Sequence, residues 1–239
     1  MRRIVLTLTL VLCLTGSALA ETLVVAAGAG YKKLVTDLAE AFEKQGGVKP
    51  ELSFGNMGQV TTQAKAGGVI DVIVGEKGFL DGAGLNFDGV APIGKGILVV
   101  AWPKGKKLAA PADVAKPEVK RLAMPDPQKA IYGKAASQYL EKSGLAKAVA
   151  DKLLVVATVP QVTTYILSGE VDAGFVNRTD VMGLGDAIGG FLEVDPSQYA
   201  PIEIVAVSMT GAPHADAAKK FAAFLATPPA RAIAEKHGM

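Results

Sequence analysis

Three short stretches place glycine where a strand pattern gives way to a helix pattern: Gly28-Ala29-Gly30-Tyr31, Gly55-Asn56-Met57-Gly58-Gln59 and Ala130-Ile131-Tyr132-Gly133. None carries a charged side chain. A helix N-terminus presents unpaired N–H groups and a partial positive charge. Several of them converging can hold a small anion without lysine or arginine, and glycine lets the backbone come close to the ligand. The plain alternative is that each stretch is only a tight turn. Other chemistries are poorly provided for. A dinucleotide fingerprint from Gly28 and Gly30 would need a third glycine at position 33, which is Lys33. Neither Gly-Glu-Lys-Gly at 75–78 nor Gly-Lys-Gly-Ile at 94–97 completes a P-loop. His214 and His237 are the only histidines and have no ligand-spaced partners. His214 reads as a solvated helix-entry residue, and His237 as a cation suited to a helix C-terminus. No G-x-S-x-G elbow is present. Asp71, Asp126 and Asp172 stand near strand ends without a spacing that pairs them. No catalytic set, metal site or cofactor is expected.

The elements that must position the three turns alternate in type. Residues 22–27 form a buried strand pattern, and Tyr31, Leu34, Val35, Leu38 and Phe42 follow at helical spacing. Residues 51–54 read as a strand, 59–68 as a helix and 69–75 as a strand. This order predicts a parallel sheet with helices on both faces. Strands at 96–102, 121–127, 152–159, 172–177 and 202–209 follow, with helices at 130–145, 161–171 and 215–238, the last broken at Pro228-Pro229. Residues 102–117 read as a loop-rich passage between two α/β units.

The first 20 residues have two arginines, an apolar run from Ile4 to Leu14 and Ala18-Leu19-Ala20. That is the pattern of a secretory signal peptide with cleavage after Ala20, a lipoprotein anchor at Cys13 being the rival reading; the run is shorter than the roughly 20 residues a membrane span needs. Cleavage removes Cys13, the single cysteine, and leaves 23 basic side chains (25 less Arg2 and Arg3) against 23 acidic ones. Thiol chemistry is thereby excluded, and nucleic acid is not an expected partner.

Four passages together resemble the periplasmic molybdate-binding proteins of ABC transporters. They are residues 23–75, Met-Pro-Asp-Pro-Gln-Lys-Ala-Ile-Tyr-Gly-Lys-Ala-Ala at 124–136, the strand and turn at 167–181, and the closing helix at 217–239. The resemblance implies a bilobal periplasmic binding protein fold, two α/β lobes with a central cleft. Lobe 1 would be residues 21–99 plus 203–239, and lobe 2 residues 100–202. It implies capture of molybdate or tungstate by neutral groups, delivery to a membrane permease of an ABC importer, and a monomer in the periplasm. The family's two serine positions fall on Gly30 and Met57, with Asn56, Gly58 and Gln59 beside the second. Its backbone contacts fall near Ala130 and Val159, and its tyrosine falls on Asn177. Replacements for the missing hydroxyls are sought in Asn56, Gln59, Tyr31 and Arg178. Met57 is either an apolar wall or core, Tyr132 either core or ligand contact, and Arg178 either a counter-charge or a partner of Asp180. Two lost donors should weaken molybdate binding about tenfold or more each. A different oxyanion or a small organic acid is the alternative ligand, and a secreted enzyme on the same fold the more distant one.

Overall fold

The computed structural model describes residues 22–67 and 69–239. The predicted signal peptide lies outside the described residues. The elements in order are β1 (Leu23–Gly28), α1 (Lys32–Lys44), β2 (Pro50–Gly55), α2 (Met57–Lys65), β3 (Val72–Glu76), α3 (Lys77–Gly82), β4 (Phe87–Gly96) and β5 (Leu98–Trp102). Then come β6 (Leu122–Pro125), α4 (Ile131–Lys142), α5 (Ala146–Val149), β7 (Leu153–Val156), α6 (Val159–Ser168), β8 (Ala173–Asn177) and α7 (Arg178–Met182). The chain closes with β9 (Gly190–Glu193), β10 (Ile202–Met209), α8 (Ala215–Leu225) and α9 (Pro228–Lys236).

Two five-stranded sheets result, ordered β2-β1-β3-β10-β4 and β7-β6-β8-β5-β9. Each has three parallel strands followed by an antiparallel strand and an edge strand. Both sheets are therefore mixed, where alternation alone predicts parallel ones. The inner parallel strands β1, β3, β6 and β8 are apolar on both faces because helices cover both; Leu23, Val25, Ala26 and Ala27 of β1 are buried without remainder. The helix α1 buries Leu34, Val35, Leu38 and Phe42, which fall on one stripe at helical spacing.

The two lobes meet at short passages. Leu98 and Val99 pair with Asn177 and Val176 in the second sheet, and Ile202 pairs with Gly96 in the first. The crossings therefore fall at Ile97 and within 194–201, not after 99 and 202. The strand expected at 96–102 is the end of one strand and the whole of another. Most of β4 escapes the pattern because Gly89, Pro92, Gly94 and Gly96 interrupt it; Pro92 is tolerated at an edge, beside a bulge opposite Ile204 and Val205. Residues 102–117 do not link the lobes but pack within the second, where Asp172 pairs with Lys106 at 3.0 Å and accepts from the Lys120 and Arg121 N–H groups. Both histidines hold structure. His214 Nδ1 pairs with the fully buried Asp71 at 2.9 Å, and His237 Nε2 pairs with Asp37 at 2.8 Å, tying the C-terminal helix to α1.

Candidate functional site

The C-terminal ends of β1, β2, β6 and β7 point at the gap between the lobes, the usual place for a ligand in open α/β sheets. There, Gly28–Tyr31 and Gly55–Met57 from one lobe face Ala130–Tyr132 and Thr158–Val159 from the other. They line a cavity of about 20 Å³ that opens to solvent, with no charged side chain among its described lining residues. That is room for about one water molecule. The lobes are thus drawn tightly together.

Asn56 starts α2 by accepting from the Gln59 N–H at 2.9 Å, and Gln59 Oε1 accepts from the Asn56 N–H at 2.9 Å. This reciprocal capping box fixes both side chains. Gln59 is therefore not free to turn toward a ligand. Asn56 keeps its Nδ2, which donates across the cleft to the Ala157 carbonyl at 3.2 Å. Thr158 and Gln161 form the matching box at the start of α6. The spacing Thr-x-x-Gln marks that helix start, so Thr158 was findable from sequence as a cleft residue beside Val159.

Gly30 and Asn177 touch. The Asn177 side chain is fully buried and donates from Nδ2 to the Gly30 carbonyl at 2.9 Å. Among the described residues its Oδ1 has no partner, and a Cβ on Gly30 would stand 2.8 Å from that oxygen. Val159 closes the same spot, 3.4 Å from where that Cβ would be. The Gly58 N–H donates to the Lys129 carbonyl at 3.1 Å, and the Ala130 N–H donates to Asp126 at 2.9 Å. Met57 lines the cavity, yet its sulfur also packs inward against Gly28 and Gly75.

Tyr31 and Tyr132 meet across the lobes through their hydroxyls at 2.6 Å, both buried. Burial pushes both hydroxyls well above the usual tyrosine range, with the neighbouring ring adding to the rise at Tyr31. They are neutral hydrogen-bonding groups, matching an uncharged cleft. Arg178 does not serve the cleft. It donates from Nε to the Gly238 carbonyl at 2.8 Å and pairs through Nη1 with Glu193 at 2.9 Å, and Asp180 instead takes the Thr163 hydroxyl. Lys33 supplies an interlobe contact that pattern does not reveal, donating from Nζ to the Gly183 carbonyl at 2.8 Å.

The profile of the bacterial extracellular solute-binding proteins matches residues 23–239. The molybdate-binding protein ModA of Azotobacter vinelandii is 30% identical over 234 residues, covering 93% of this chain and 91% of the relative. ModA of Rhodobacter capsulatus is 29% identical, covering 97% and 93%. The solved Azotobacter vinelandii periplasmic molybdate-binding protein superposes with a TM-score of 0.82 at 25% identity, over 90% of this chain and 97% of that one. A profile spanning both lobes, joined by a relative at this identity along nearly the whole length, places the chain in the family of bacterial extracellular solute-binding proteins.

Proposed function

We propose that this protein captures a small tetrahedral oxyanion of the molybdate and tungstate class between its lobes and passes it to the permease of an ABC importer. It does so as a monomer in the periplasm and turns nothing over. The observation that carries this reading is the lining of the cleft: four strand ends, the starts of α2, α4 and α6, and no charged side chain. Such a lining suits an anion held by hydrogen bonds and helix N-termini. The names of the relatives favour molybdate within that class. Ligand between the lobes favours the closed form because only there does it touch both.

Other hydroxyl-bearing residues stand near the positions of Gly30 and Met57. Tyr31 follows Gly30, Thr158 precedes Val159, and Tyr132 lies opposite; all three line the cavity. Asn56 Nδ2 adds an amide donor. Calorimetric titration of the mature protein with molybdate, tungstate, sulfate, phosphate and small carboxylates tests the reading. Saturable 1:1 binding of molybdate or tungstate is expected, weaker than for a site with two serine hydroxyls. Saturation by a carboxylate with no response to any oxyanion would overturn it.

A further inference from the structure

The cleft lining is uncharged, yet a lysine stands one residue outside it on each lobe. Lys32 follows the lining residue Tyr31, and Lys129 precedes the lining residue Ala130. Both are exposed. A second contact places each of them. The Lys32 ammonium lies over the Phe54 ring, 5.9 Å from its centre, and Phe54 leads into Gly55 of the lining. The stem of Lys129 runs beside the start of α2: a Cβ on Gly58, the residue after Met57, would stand 3.1 Å from its Cγ. The two lysines therefore flank the lining turn Gly55–Met57 from opposite lobes.

Their charges are little offset. Among the described residues, Lys32 forms no ion pair. Lys129 reaches Asp126 Oδ2 only at 3.8 Å, while Asp126 Oδ1 accepts from the Gln128 and Lys129 N–H groups. The neighbouring cations are more committed. Lys33 donates to the Gly183 carbonyl and its charge bears on Asp180, and Arg178 pairs with Glu193 at 2.9 Å. The chain as a whole exerts no general attraction on anions, since from residue 21 onward 23 basic side chains stand against 23 acidic ones.

We propose that Lys32 and Lys129 steer anions into a cleft that carries no charge of its own. The inference rests on the cleft being the capture site and names the residues that govern arrival there. Adjacent residues lie about 3.8 Å apart along the chain, so both ammonium groups act on the mouth from within a Debye length, about 10 Å at 0.1 M salt. Walls of low dielectric focus such a field and raise the local concentration of oppositely charged ligand. Charges at a rim act on association and its salt dependence more than on release. Hydrogen bonds from the neutral lining then do the holding. The attraction scales with ligand charge, so the rim favours a dianion over a monoanion and ignores a neutral ligand of the same shape.

The test uses the mature chain in two arms. In the first, stopped-flow mixing with molybdate is followed by intrinsic fluorescence, since Tyr31 and Tyr132 line the cavity. Lys32→Gln and Lys129→Gln should each slow association about two- to fivefold at low salt, and the double variant about tenfold, with release nearly unchanged and the salt dependence flattened. Lys44→Gln removes the same charge at the far end of α1, roughly 18 Å along the helix, and should change neither rate. In the second arm no ligand is added. An anionic nitroxide should relax the amide protons of Lys32 and Gly58 more than a cationic one does, and the double variant should abolish that difference. A double variant that associates as fast as the natural chain, with the same salt dependence, overturns the proposal. So does a Lys44→Gln variant that is slowed equally. A natural chain that binds no molybdate defeats the capture reading instead, and the nitroxide contrast then decides the steering alone: its absence overturns it.

Discussion

Gly30 and Asn177 lie 147 positions apart and compete for one small volume. Replacing Gly30 by Ser returns a hydroxyl to the family's serine position, but its Cβ lands 2.8 Å from Asn177 Oδ1. Gly30→Ser alone is therefore expected to lower stability and weaken molybdate binding. Asn177→Ala in the same chain should relieve the conflict. A double-mutant cycle by thermal unfolding should read a coupling of about 0.5–3 kcal/mol; strict additivity would mean that the two side chains do not meet. A second residue, Asp180, sets a pH dependence. Burial lifts its carboxyl above the ordinary aspartate range, opposed by the Thr163 hydroxyl and by Lys33. The folded state then holds the proton more tightly than the unfolded chain. Stability falls as pH rises from the ordinary value of about 4 through the raised one. Urea unfolding from pH 4 to 8 should show that decline, and Asp180→Asn should remove its share. An unchanged slope in the variant would place the dependence elsewhere. The positions of Gly30, Met57 and Asn177 are legible in sequence through the family resemblance, which carries the two serines and the tyrosine onto them. The contacts made across the cleft by Gly58, Asn56 and Lys33 are not, since Lys129, Ala157 and Gly183 contribute carbonyl oxygens that any residue type carries.

The helix starts that shape the cleft are legible because their signals are local. Asn56-x-x-Gln59 and Thr158-x-x-Gln161 are capping boxes, each spelled within four residues. The edge strand β4 is not, because its proline and glycines read as turn and its pairing with β10 spans more than a hundred residues. α4 shows a fit between element and loop. Gly133 is its third residue, and a Cβ there would run into the carbonyl oxygens of Pro125 and Asp126, backbone atoms that cannot swing aside. Ala outranks Gly inside a helix by about 1 kcal/mol, whereas overpacking against a fixed wall costs about 1–3 kcal/mol and sometimes more. Gly133→Ala should therefore lower the urea midpoint. A raised midpoint would mean that the loop after β6 yields, and that α4 is not seated by it.

At the scale of the whole molecule, the lobes are held by more than the two crossing passages. Tyr31 meets Tyr132, Lys33 meets the Gly183 carbonyl, and Arg178 clasps the carbonyl of Gly238 near the chain's last residue. Alternating elements suffice to read two α/β units; the points where the chain changes unit are harder, because Leu98 and Val99 continue an apolar run that looks unbroken. The order of the strands has one more consequence, for time rather than shape. The second lobe is one unbroken run of chain, whereas in the first β10 slots between β3 and β4 only after the whole second lobe has been made. As the chain emerges during synthesis, the later lobe can finish before the earlier one. Until residues 202–209 arrive, β3 and β4 wait with unpaired edges, the state most open to sticking to other chains. Residues 98–201 made alone should unfold cooperatively, and residues 22–97 made alone should aggregate. A soluble, cooperatively folded fragment of residues 22–97 would show that the first lobe does not wait for its last strand.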